Sequence, residues 1–522
     1  MKKRLFKITR VSFPCFRLLL HLVFFSFLIL SATTVATAGA DDENSWLITN
    51  VVIIDGTGAK GERGAVRVTG DVITGVGELL PADGEVVIDG QGQVLAPGFI
   101  DTHSHVNAEI REQRDALAAV SQGITTAVIG QDGGSPYPLQ DWFAEQESNP
   151  AAINVASYAG HNTLRSMVMG DDFRRVATPA ETRIMAVLLK IELDAGALGL
   201  GSGLEYEPGI HSHIDEMISL AKVAAAEGSR YISHIRSEDR WFMQAIDEII
   251  EIGRVTGMPV QISHIKLAMK SLWGKAPELI SKLDAARAEG IDITADIYPY
   301  TYWQSNMMVL IPSRDLNATE EYAYALSEIA PPEGFWLTQF DPQPEYVGKK
   351  LTEIAALRGV DPVTAMMQLT AESVAYGDSA DSMIGTSMTE QDIYQLFTWP
   401  HTNLCTDGSL DDLHPRGTGS YTRVLGRYVR EMKLLSLEAA IHKMTGLAAA
   451  HMGISQRGLI KPGMAADLVL FDPDTIIDNA TPSNPQAANT GITSVWVNGR
   501  LVFDQGATTG QYPGRVIRRQ SP

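Results

Sequence analysis

Arg230-Tyr231-Ile232-Ser233-His234, Val260-Gln261-Ile262-Ser263-His264 and Ile291-Asp292-Ile293-Thr294-Ala295-Asp296 are three short, mostly apolar runs, each ending on a side chain that can do chemistry. Helical stretches from Trp241 to Val255 and from Pro277 to Ala288 separate them. Units of about 30 residues that alternate strand and helix build parallel sheets with crossover helices. The texture extends over about 360 residues, which suits a (β/α)8 TIM-like barrel. The expected fold class is therefore α/β, with the barrel at 98–457 and an insertion near 309–372, where the rhythm breaks. A doubly wound sheet would use the same units, but no Gly-rich phosphate loop follows the first strand.

Outside the barrel the texture is all strand. Leu47-Ile48, Val51-Val52-Ile53-Ile54, Ala65-Val66-Arg67-Val68 and Val86-Val87-Ile88 are separated by Gly, Asp and Pro turn signals. Leu468-Val469-Leu470-Phe471 and Ser494-Val495-Trp496-Val497 repeat the style at the other end. Neither piece can bury a core alone, so one small β-sandwich domain is expected from 45–97 and 458–505 together.

Residues 1–38 differ again. Six basic residues, Lys2 to Arg17, precede the apolar run Leu18 to Leu30 and the small-residue site Ala36-Thr37-Ala38. This order is that of a secretory signal peptide, and 13 apolar residues fall short of the roughly 20 that span a bilayer. The expected location is outside the cytoplasm, periplasmic or secreted. Removing the segment leaves 36 Lys and Arg against 62 acidic residues, a formal charge of −26. Such a charge repels nucleic acid and acidic membrane surfaces, so a small-molecule substrate is the expected partner, with no stable membrane partner. One cysteine, Cys405, would remain, which rules out an intramolecular disulfide. It reads as a small buried residue. Nothing in the sequence speaks to oligomeric state.

His103 and His105, in Pro97-Gly98-Phe99-Ile100-Asp101-Thr102-His103-Ser104-His105, point to one side of a strand end. A His-x-His pair alone is weak evidence: His211-Ser212-His213 is another, and it begins a polar helical stretch. The first pair gains weight from its company. His234 and His264 end successive strands, and Asp407 ends the later run Asn403-Leu404-Cys405-Thr406. In a barrel these positions converge on the mouth where active sites lie. Four histidines and a carboxylate can bind one or two divalent ions such as Zn2+.

These motifs resemble the amidohydrolase superfamily. Ser202-Gly203-Leu204-Glu205-Tyr206-Glu207-Pro208-Gly209, Ser263-His264-Ile265-Lys266, Asp296-Ile297-Tyr298-Pro299-Tyr300 and Asp407-Gly408 leading to His414-Pro415-Arg416 are similar to the D-aminoacylase family in particular. The resemblance runs from about Val51 to Phe503. It implies hydrolysis of the amide bond of N-acyl-D-amino acids at zinc. It assigns His234 and His264 to a tight metal site and His103, His105 and Asp407 to a weaker one. Tyr206, Lys266 and Arg416 would grip the substrate's α-carboxylate, a task suited to a planar guanidinium and an ammonium. Ser305 would assist them. Asp407 would serve as the catalytic acid–base.

The chain departs from the family at one ligand. The family's metal-binding cysteine lies in a Gly-x-Cys-Gly turn, where this chain has Gly130-Gln131-Asp132-Gly133. Asp132 either supplies an oxygen ligand in its place or simply makes an Asp-Gly turn; the ligand is the expectation. His161 and Asp296 read as supports of the ligands. Two other functions compete. A dipeptidase acting on D-containing or isoaspartyl dipeptides needs an anion for the free ammonium, which Glu205 or Glu207 would supply. A catalytically silent binding scaffold would have lost its ligands.

Overall fold

The computed structural model describes residues 45–377 and 380–520. The signal-like segment 1–38 lies outside them. None of the helices described is long and apolar enough to cross a membrane.

Eight parallel strand positions form the central barrel. Phe99–Asp101 pairs with Ile124–Ile129, which pairs with Asn154–Ser157. After Tyr158 that third strand resumes as Ala159–Gly160 beside Gly199–Gly203. Arg230–His234, Val260–Ile262, Ile293–Ile297 and Thr402–Leu404 follow in order. Closure falls at the chemistry-bearing ends: Ser104 bridges Gly408, Asp407 N donates to His103 O at 2.8 Å, and His105 N donates to Gly408 O at 2.8 Å. Nearly every barrel-strand residue is buried, as expected of strands covered on both faces.

The outer helices follow from their patterns. Phe242–Thr256 buries Phe242, Ala245, Ile246, Ile249, Ile250 and Gly253, a stripe with helical period. It stops at Gly257, whose φ of 68° is the left-handed cap that glycine accepts without strain. This helix and Ala276–Ala288 each start within a residue of the sequence expectation.

The insertion is larger than 309–372. Tyr302–Ser305 pairs with Asp381–Thr386, which pairs with Phe335–Phe340, so a three-stranded antiparallel sheet stands between the seventh and eighth barrel strands. Helices Thr319–Tyr324, Leu351–Arg358 and Pro362–Tyr376 accompany it.

The small β structure draws on both chain ends. Val94–Pro97 pairs antiparallel with Leu468–Phe471, joining five early strands to four late ones in one nine-stranded sheet. Val72 bridges Ala465 and turns this sheet back on itself around Ile48, Val66, Val68, Leu95, Leu468 and Trp496. The late part runs past 505: Ala507–Thr508 adds a strand, and Ile517 N then donates to Val155 O at 2.8 Å on the barrel.

Candidate metal centre and substrate pocket

The loop after the second strand brings Asp132 to the centre of the barrel mouth. Gly130 and Gly133 flank it with φ of 89° and 79°. A Cβ on Gly130 would meet Tyr158 O at 2.6 Å, and one on Gly133 would meet Asn162 Oδ1 at 2.3 Å. The loop also rests on the fourth strand, where a Cβ on Gly203 would lie 2.1 Å from Asp132 O. Glycines at these places let three strand ends close on the aspartate.

From there the Asp132 carboxylate reaches all four histidines. Oδ1 lies 3.2 Å from His103 Nε2, 3.5 Å from His264 Nε2 and 3.8 Å from His234 Nδ1, and Oδ2 lies 3.4 Å from His105 Nε2. Asp407 Oδ1 stands 3.4 Å from His103 Nε2 and 3.1 Å from His105 Nε2; His234 Nδ1 and His264 Nε2 are 3.0 Å apart. Two groups of donors share Asp132, His103–His105–Asp132–Asp407 and Asp132–His234–His264, and a third, Glu205–His234–Glu238, lies on the other side of His234. Zinc ligands at about 2.0–2.2 Å in a tetrahedron stand roughly 3.3 Å from one another, so the spacing fits such an ion. His103 Nε2 and Asp132 Oδ1 are buried without a hydrogen-bond partner, which these atoms tolerate if they face a cation.

The electrostatics agree. Burial alone would lower the pKa of His105, but hydrogen bonds to Asp132 and Asp407 outweigh it and raise it to about 10. Burial and the Lys266 charge both act to lower His264, yet Glu238 and Asp407 bring it to about 10. Asp407 is held well below the usual carboxylate range: burial opposes this, while Arg416 and the histidines more than compensate. The carboxylates around the mouth thus call for positive charge. His264 and Asp407 have φ of 34° and 52°, left-handed values that cost energy for residues with side chains and that cluster at functional sites.

Behind the histidines stand carboxylates. Glu205 Oε2 accepts from His234 Nε2 at 3.0 Å, and Glu238 Oε1 lies 2.9 Å from His264 Nδ1. Such pairs fix which imidazole nitrogen faces a metal. Asp296 Oδ1 accepts from His264 N at 2.5 Å and lies 3.9 Å from His103 Nδ1. Cys405 is fully buried, and its Sγ donates to Asp296 Oδ1 at 3.3 Å. His161 stands apart from both donor groups, bonded to Glu216 at 2.8 Å beside Asn162, which braces the Asp132 loop. His213 caps the helix Ile214–Ala226, and His211 pairs with Glu207 at 3.1 Å, so the second His-x-His lies outside the cluster.

Tyr206, Lys266, Arg416 and Ser305 line one cavity with His234, His264 and Asp407. Insertion residues Trp303, Val309, Leu310 and Ile329 add apolar lining to it. Lys266 Nζ donates to both Glu238 oxygens at 2.6 and 2.7 Å. Arg416 donates through Nη1 to Asp407 Oδ2, a contact not anticipated from sequence, while its buried Nε makes no hydrogen bond and has Asp412 Oδ2 3.8 Å away. The guanidinium lies 4.9 Å from the ring of Tyr298, whose buried hydroxyl also lacks a partner. His414 orients this arginine: its Nδ1 accepts from Arg416 N at 2.9 Å and its Nε2 donates to Tyr302 O at 3.0 Å.

Glu238, Tyr298 and His414 were missed as site residues. Glu238 lies among Ser237, Asp239 and Arg240, a stretch that reads as a solvated loop. Tyr298 and His414 lie within motifs whose spacing gives no sign of their contacts with Arg416.

The model of the amidohydrolase family matches residues 86–331 and 347–503. The chain is 38% identical to N-acyl-D-glutamate deacylase of Alcaligenes xylosoxydans xylosoxydans, across 90% of this chain and 95% of that protein. It is 34% identical to D-aminoacylase of the same organism, across 91% and 97%. The crystal structure of N-acyl-D-glutamate deacylase from Bordetella bronchiseptica, complexed with zinc and a phosphonate mimic of the tetrahedral intermediate, superposes with a TM-score of 0.81 at 36% identity, covering 91% of this chain and 99% of that one. The chain therefore belongs to the amidohydrolase family, in its D-aminoacylase branch.

Proposed function

We propose that the protein is a zinc-dependent deacylase that hydrolyses the amide bond of N-acyl-D-amino acids, releasing the D-amino acid and a carboxylic acid. The observation that carries this reading is the buried Nε of Arg416, free of hydrogen bonds, beside Asp407 and the histidine–aspartate cluster. It is a cation poised for an anionic substrate group next to a metal site.

His103, His105, Asp132 and Asp407 would hold one ion and Asp132, His234 and His264 the other, so one or two Zn2+ fit. Bound zinc supplies Lewis acidity, bringing the pKa of water towards about 7 and polarising a carbonyl. Arg416, Lys266 and Tyr206 take the α-carboxylate and present one face of the α-carbon to Asp407. The Asp407 carboxylate accepts the proton of the attacking water and returns it to the departing amine. Glu205 keeps His234 in one tautomer, and Glu238 holds Lys266 against His264 Nδ1.

Neither acid needed by a dipeptidase is free: Glu205 is bonded to His234, and Glu207 to Arg174 at 2.9 Å and to His211. A silent scaffold would not keep every donor facing inward. The basic, apolar and small-residue order of 1–38 supports export to the periplasm or beyond.

The substrate's own carboxylate provides the test. A charge-assisted hydrogen bond contributes about 1.5–3 kcal/mol, so Arg416→Ala should lose at least about tenfold in kcat/KM. Wild type should discriminate strongly against the α-carboxamide of its substrate, and Arg416→Ala much less, because both changes delete one interaction. An equal amide penalty in the two proteins would remove Arg416 from the carboxylate site.

A further inference from the structure

We propose a second ligand site at the opposite end of the barrel, built to bind a small oxyanion. The strands Arg230–His234, Val260–Ile262 and Ile293–Ile297 begin around a cavity of about 230 Å3, lined by Tyr158, Arg230, Arg287, Asp292, Thr294 and His451 among others. The metal cluster sits where the same strands end, so this cavity is separate from it.

Three observations converge there. Arg230, partly buried, donates through Nη1 to His451 O at 2.6 Å, and among the described residues it forms no ion pair and no other side-chain hydrogen bond. Arg287 is only partly satisfied: Nη1 serves Asp292 Oδ1 at 3.0 Å and Ile293 O at 2.6 Å, and its other nitrogens make no hydrogen bond. His451 Nδ1 is buried with no partner at all. Burial first, and then the charge of Arg230, press the His451 pKa down to about 3. Asp292 is the one acidic group lining the cavity, and it is paired with Arg287.

A partly buried guanidinium without a counter-charge and a buried ring nitrogen without a partner both cost free energy. A ligand in the cavity relieves the guanidinium. It must offer several oxygen acceptors and negative charge, and it must fit beside two planar forks, which prefer to bind oxyanions in pairs of hydrogen bonds. Phosphate and short carboxylates share that chemistry. The cavity gathers two arginines in a chain of formal charge −20.

Calorimetric titration of the zinc-loaded protein with inorganic phosphate at fixed ionic strength tests the site. Phosphate also meets the metal centre, so wild type, Arg230→Gln, Arg287→Gln and Arg416→Ala are compared. Wild type and Arg416→Ala should share a binding event that weakens at least tenfold in Arg230→Gln and in Arg287→Gln, and that Arg230→Lys partly restores. The partly exposed Arg287 keeps the test alive if the Arg230 variants fail to fold. A parallel titration with acetate names the ligand: the same loss with acetate assigns the site to carboxylates generally, and a response to phosphate alone assigns it to phosphate. Isotherms that are unchanged in both arginine-to-glutamine variants, with either anion, overturn the proposal.

Discussion

Asp132 is where a single residue decides most. Its carboxylate belongs to both donor groups, so its loss should empty both, whereas the loss of His105 would touch only one. Asp132→Ala should therefore lose bound zinc and activity together, while Asp132→Cys should keep a good part of both, because a thiolate is an equally apt zinc ligand. Elemental analysis and turnover of the two variants decide it; near wild-type turnover in the alanine variant would reduce Asp132 to a turn residue. The residue itself was legible, but its reach was not. Gln131-Asp132-Gly133 reads equally well as a turn, and only the closeness of three strand ends shows that the side chain meets four imidazoles. Glu238 was illegible for the reverse reason: its partners His264 and Lys266 lie 26 and 28 residues on, and nothing local hints at them.

At the scale of elements, the strands ending in His234, His264 and Asp296 were readable because apolar runs of period two carry a functional residue at the same relative place. Gly199-Leu200-Gly201-Ser202-Gly203 was not, since glycine disfavours strands and its apolar content is a single leucine. The structure supplies the reason for that composition. Strand four is the seat of the Asp132 loop, with Gly130 O where a Gly201 Cβ would be and Asp132 O where a Gly203 Cβ would be. The antiparallel insertion strands were hidden because their partners are far apart in sequence. Gly133→Ala tests the seat. A methyl group there collides with Asn162 Oδ1 and lies 2.6 Å from Gly203 N, in a backbone conformation that disfavours side chains. The loop must move and take Asp132 with it, so zinc affinity should fall far more than thermal stability. A variant that keeps its zinc but melts much earlier would assign the glycine to folding alone.

In the whole molecule, the small sheet and the barrel are parts of one compact unit, 44–522. A buried polar knot ties them. Asp467 accepts from Asn154 Nδ2 at 3.0 Å on the third barrel strand, from Asn498 N at 2.7 Å in the small sheet, and from Arg457. Asn498 Nδ2 returns to Asn154 Oδ1 at 2.8 Å. Removing one member of a buried charged pair typically costs about 3–5 kcal/mol. Asp467→Ala should lower the denaturation midpoint accordingly, leaving kcat per folded, zinc-loaded molecule unchanged; a fall in kcat without loss of stability would contradict this division of labour. The joining of both chain ends was legible from the two sets of alternating strands. The knot was not, because Asn154, Asp467 and Asn498 lie in three separate regions of the sequence.

One assay tests zinc-dependent, enantioselective deacylation directly. Protein stripped by a chelator and reconstituted with measured equivalents of zinc is given N-acetyl-D- and N-acetyl-L-amino acids, and the released amine is followed. Turnover should be negligible without metal, should recover with added zinc, and should favour the D series strongly over the L series. Turnover that survives chelation, or equal rates on both enantiomers, would contradict it.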